Sequence, residues 1–140
     1  MGDDLAASNV NRTYSLSAMS IAIFTFMLIF LYPRYASGEV DALLFQATLL
    51  VMGVATFSLV FAAFHYYGAS LGGRMDDAER ARFARRGDRL WLLCYTLLFL
   101  APGMVLVTVE LVLVGAAWFV LWFGYVLFAM RTFPRVQTAR

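Results

Sequence analysis

Uncharged apolar runs alternate along the chain with short polar pieces, and their lengths predict the architecture. The first run covers about residues 15–32 and stops at Pro33; the second covers about 42–67. A third block, Leu90 to Met130, is apolar for 41 residues except at Glu110. A hydrocarbon core of about 30 Å is crossed by about 20 helical residues at 1.5 Å each. The third block is twice that length, so it predicts two spans and a tight turn. Apolar residues are continuous in Phe24–Leu31 and Val112–Phe123, whereas barrel strands alternate. The pattern therefore predicts an all-α integral membrane four-helix bundle, a single domain over 1–140 with spans near 15–32, 42–67, 90–109 and 111–130.

Two placements of the last turn compete. A turn at 108–110 gives two spans of about 20 residues, with Pro102 inside the third. A turn at Ala101-Pro102-Gly103 has the better turn chemistry but leaves a short third span. Span length favours 108–110. Asp41 is positioned to cap the second helix. Between the second and third spans, Gly72-Gly73 precedes Asp76-Asp77-Ala78-Glu79 and then five arginines. Acids before arginines suit a helix dipole, so a short surface helix or loop ending near Gly87 is expected, with Asp88 capping the third span.

Composition agrees with the membrane assignment. The chain is 62% hydrophobic and 14% charged, with a mean hydropathy of +0.74. Soluble domains sit near 45–50% apolar and 25% charged, so a soluble fold, disorder and a disulfide scaffold are excluded. Charge then predicts orientation. All 11 basic residues are arginine, and with four spans ten of them share one side; only Arg34 lies opposite. The positive-inside rule predicts cytoplasmic termini, and a lysine-free, arginine-only chain suggests a bacterial inner-membrane protein. The first run is longer than a signal-peptide core and lacks a small-x-small cleavage site after it. Cys94 is the only cysteine, so no intrachain disulfide is expected.

Helical projection gives each span one narrow small or polar face: Ala18, Ala22 and Thr25; Thr48, Ala55, Ala62 and Ala69 beside Ser58 and His65; Cys94, Ala101 and Thr108; Glu110, Ala117, Gly124 and Arg131. Small residues let membrane helices approach closely, so Ala55, Ser58, Ala62, Ala117 and Gly124 are the expected packing positions. Three polar residues are candidates for an ion or proton path. His65, the sole histidine, is a proton-relay candidate by residue type, although an interfacial histidine in an aromatic belt is the plainer expectation. Glu110 would be costly within the bilayer, where carboxylates mark ion paths; a turn at 108–110 makes it a loop acid instead. Gln46 is the third candidate.

Arg80, Arg82, Arg85, Arg86 and Arg89 are candidates for anionic lipid head groups, against the plainer role of a solvated, topology-setting segment. No metal-ligand spacing, nucleophile motif or phosphate loop is present, so no cofactor, no catalysis and no nucleic-acid partner are expected. The functional expectation is a self-associating channel or transporter for a small ion or solute. The alternative is a scaffold or accessory subunit of a larger membrane complex, partnered by other membrane subunits and the lipid bilayer.

Overall fold

The computed structural model describes the backbone of residues 2–71 and 75–138 and the side chains of 8–71 and 75–132. Gly72, Gly73 and Arg74 fall outside the described residues. Four helices follow in order: α1 (Gly2–Ala36), α2 (Ala42–Ser70), α3 (Asp77–Thr108) and α4 (Val112–Thr138). Each is long and apolar enough to cross a membrane. At 1.5 Å per residue, the 29 residues of α2 extend about 44 Å, well beyond a hydrocarbon core of about 30 Å.

The helices pack consecutively, α1 on α2, α2 on α3 and α3 on α4. Among the described residues α4 packs substantially only against α3, which leaves the bundle open between α1 and α4. Two apolar clusters form its centre. Met27, Leu31, Phe45, Met52 and Ala101 make one, and Ala55, Leu59 and Cys94 make the other.

The sequence signals at the two tight hairpins have a common structural basis. After α1, Gly38 adopts φ 77° and the Glu39 amide donates to the Arg34 carbonyl at 2.9 Å. This is a helix ending closed by a left-handed residue. After α3 the same closure recurs: the Leu111 amide donates to Leu106 at 2.9 Å, and Glu110 takes φ 66°. The chain thus turns at 109–111, and Pro102-Gly103 lies inside α3. Pro102 leaves the Leu98 carbonyl without its helical donor, which a membrane helix tolerates where neighbours pack against it. Asp41 does cap α2, its carboxylate accepting from the Leu44 amide at 2.8 Å.

The expected short helix ending near Gly87 is corrected. α3 runs unbroken from Asp77 through both the arginines and the apolar span. Gly87 leaves room for a ring: a Cβ there would lie 2.9 Å from the Tyr66 side chain. Asp88 accepts a 2.8 Å hydrogen bond from the Tyr66 hydroxyl and caps nothing.

Candidate functional site

The polar candidates are distributed over both ends of the bundle. Gln46 is exposed near the start of α2, its amide donating to the Tyr35 hydroxyl at 3.3 Å. Glu110 is exposed in the α3–α4 turn at that same end. His65 lies about 28 Å further along α2, at 1.5 Å per residue. It is half-buried, with Nδ1 2.8 Å from the Phe61 carbonyl. A carbonyl only accepts, so Nδ1 carries a proton and the ring is tied to its own helix. The structure therefore brings Gln46 and Glu110 to one end and separates both from His65. Among the described residues, no cluster of three His, Cys, Asp or Glu side chains is grouped to hold a metal ion.

A concavity inside the bundle is apolar. A cavity of about 470 Å³ lies between α1 and α4, lined by Ile23, Met27, Met52, Pro102, Val105 and Trp118 among others. The one polar atom of the Trp118 side chain is committed elsewhere, its indole donating to the Phe99 carbonyl at 2.6 Å. Such a lining accommodates hydrocarbon and supplies no acid, base or nucleophile.

Polar interactions inside the bundle tie helices together. Ser20 and Thr56 join α1 to α2 at 2.8 Å. The Thr56 hydroxyl also reaches the Met52 carbonyl at 2.9 Å. A hydroxyl has one proton, so Ser20 donates to Thr56, which donates to Met52. Thr13, Ser17 and Ser20 are all buried, whereas Ala18, Ala22 and Thr25 are exposed. The packed face of α1 is thus its hydroxyl face, because these side chains can bond to helix carbonyls one turn back.

The packing candidates divide between helices. Ala55, Ser58 and Ala62 are buried. Ala117 and Gly124 are exposed, and a Cβ on Gly124 would meet nothing within 4 Å. Within one chain α4 is instead held through Gly115, Trp118 and Trp122. The Trp122 indole donates to the Thr96 carbonyl at 2.8 Å, and a Cβ on Gly115 would collide with Val107. The projection by residue size missed this contact because its anchors are large aromatics; their signal was the pair Trp118 and Trp122, one turn apart.

At the arginine-rich end, α2 and α3 form a close joint. Gly68 faces Phe83, the Tyr66 ring covers Gly87, and Arg80 donates to the Ala69 carbonyl at 3.3 Å. Arg80 also lies 3.7 Å from Asp77. Arg82, Arg85, Arg86 and Arg89 are exposed on the opposite side of the helix. Arg12 of α1 stands over the Trp91 ring at 5.5 Å.

These features define the protein as an all-helical chain with four helices suited to crossing a membrane. Comparison with known proteins finds no matching family, no matching curated relative and no matching solved structure.

Proposed function

We propose that this chain is a scaffold or accessory subunit of a larger membrane complex, with no transport or catalysis of its own. The open flank of α4 carries this reading. One side of α4 is anchored to α3 by Trp118 and Trp122, while Leu113, Ala117, Val120, Leu121 and Gly124 remain exposed. In a membrane, small residues flanked by large apolar ones favour close helix–helix approach. The self-associating channel or transporter is supported less well, because Gln46, Glu110 and His65 do not converge and the cavity between α1 and α4 is apolar.

The reading includes an inner-membrane location with both termini in the cytoplasm. It rests on ten of eleven arginines sharing one side of four spans. Two measurements test it. Purification from native membranes in mild detergent is expected to return a complex with a stoichiometric second membrane protein. Proteoliposomes of the purified chain are expected to pass no ion or small solute. A homo-oligomer whose flux is abolished by Glu110→Gln would replace the scaffold reading with the transporter.

A further inference from the structure

Arg82, Arg85, Arg86 and Arg89 stand at the i, i+3, i+4, i+7 spacing that puts side chains on one helical face. Because α3 is continuous, this face can be followed into the apolar span. Seven-residue steps from Arg82 pass through Arg89 to Thr96 and Gly103. Thr96 and Gly103 meet α4: the Thr96 carbonyl accepts from Trp122, and a Cβ on Gly103 would lie 2.9 Å from Trp118. The arginine stripe therefore prolongs the very line along which α3 contacts α4.

The antiparallel register extends the same way. As α3 runs back from Gly103 through Thr96 to Arg89, α4 advances past Trp118 and Trp122 toward Arg131. Arg131 is exposed, as are the four arginines of the stripe. None of the five makes an ion pair or hydrogen bond with another described residue. Of the neighbouring acids, Asp88 receives the Tyr66 hydroxyl and Asp77 pairs with Arg80, while Glu79, one turn before Arg82, offsets one of the five charges and leaves the patch basic. Below the contact of the two helices, the stripe and Arg131 thus form one exposed patch of net positive charge. Such a patch is stabilised by an anion that neutralises it.

We infer that this arginine face of α3, with Arg131 of α4, binds the phosphodiester head group of an anionic phospholipid, in the leaflet on the arginine-rich side. Charge complementarity selects the class, and position selects a membrane lipid over a soluble anion. Arg89 is the last charge before the apolar span. The head-group layer is about 5–8 Å deep on each side of the hydrocarbon. One helical turn beyond Arg89, about 6 Å, holds Arg85 and Arg86. Those three stand at phosphate depth, with Arg82 about 10 Å beyond Arg89. Guanidinium groups present paired donors that match phosphate oxygens. Arg80 does not belong to the site, being turned toward the end of α2. The inference stands independently of the scaffold reading.

The full chain in phosphatidylcholine nanodiscs, with brominated phosphatidylglycerol or brominated phosphatidylcholine as guest lipid, provides the test. Both guests carry the same acyl chains, so the difference in tryptophan quenching isolates the head group. The expected preference for phosphatidylglycerol is roughly tenfold, as one or two well-placed arginines supply at a membrane surface. The Arg82→Gln/Arg85→Gln/Arg86→Gln/Arg89→Gln variant should lose it, the corresponding four-lysine replacement should retain part, and Arg34→Gln should retain it all. Protection of Cys94 from a maleimide verifies that each variant is folded, and the lysine replacement remains decisive if the glutamine variant is not. At equal ionic strength, glycerol phosphate should not displace the lipid. Equal quenching by both guests, a preference that survives in the folded glutamine variant, or full displacement by glycerol phosphate would each overturn the assignment.

Discussion

Gly87→Ala tests the joint between α2 and α3, because two well-known effects oppose each other there. In an ordinary helix, alanine for glycine gains about 1 kcal/mol from propensity. Here the added methyl would lie 2.9, 3.1 and 3.2 Å from three carbons of the Tyr66 ring. The ring is buried, and its hydroxyl is fixed to Asp88 at 2.8 Å, so it cannot swing aside freely. Overpacking of this kind costs about 1–3 kcal/mol, and losing a hydrogen bond to a charged group costs about 1.5–3 kcal/mol. The methyl forces the first cost and, where the ring shifts, part of the second. A net loss of about 1–2 kcal/mol is expected once the propensity gain is subtracted.

The assay is built into the chain. Cys94 is the only cysteine and is fully buried, so its labelling by a fluorogenic maleimide in detergent reports unfolding. Repeating Gly87→Ala in a Tyr66→Ala background removes the obstacle, and the methyl should then stabilise by about 1 kcal/mol. The cycle therefore predicts a coupling of about 2–3 kcal/mol, at the upper end for residues in contact. If Gly87→Ala stabilises equally in both backgrounds, Tyr66 does not fill the space above Gly87 and the joint is built differently.

Other substitutions separate the remaining parts of the account. Glu110→Gly should raise stability by about 1 kcal/mol, since a β-carbon in the left-handed region costs about that much; protection of Cys94 measures it, and destabilisation would contradict the turn at 109–111. Ser20→Ala and Thr56→Ala should each cost about 0.6 kcal/mol, and no more than about 1.7. Their double variant should cost less than the sum in the same labelling assay, because both remove one bond. Gly124→Leu should stabilise the isolated chain by up to about 1 kcal/mol, the propensity gain of an unobstructed helical position, and should not destabilise it. The same change should reduce recovery of the partner subunit in mild detergent.

Much of this architecture was legible from the length and continuity of the apolar runs, because a bilayer imposes a minimum helix length. What local chemistry suggested was less dependable, for identifiable reasons. Pro102-Gly103 resembles a turn, yet Gly103 serves the close approach of Trp118 and Phe119. The true turn places Glu110 where the first hairpin has Gly38, so its sequence lacks the expected glycine. Gly87-Asp88 resembles a helix break and a cap, and both residues instead accommodate Tyr66 from another helix. Such roles depend on which helix lies opposite, and no pattern within one segment encodes that. On α1, selection by side-chain size identified Ala18, Ala22 and Thr25, while the hydroxyls of Thr13, Ser17 and Ser20 form the buried line. Of the candidate polar site, the individual residues could be named in advance, but their separation across two ends of the bundle required the helix register.

The central claim is that the exposed flank of α4 receives another membrane protein, and site-specific photo-crosslinking in native membranes tests it most directly. A photoreactive residue at Gly124 points away from α3, and one at Trp118 points into the chain's own interior. The account predicts one discrete heterologous protein adduct from position 124 and none from position 118. Lipid adducts alone from position 124, or adducts only between copies of this chain together with solute flux, would contradict it.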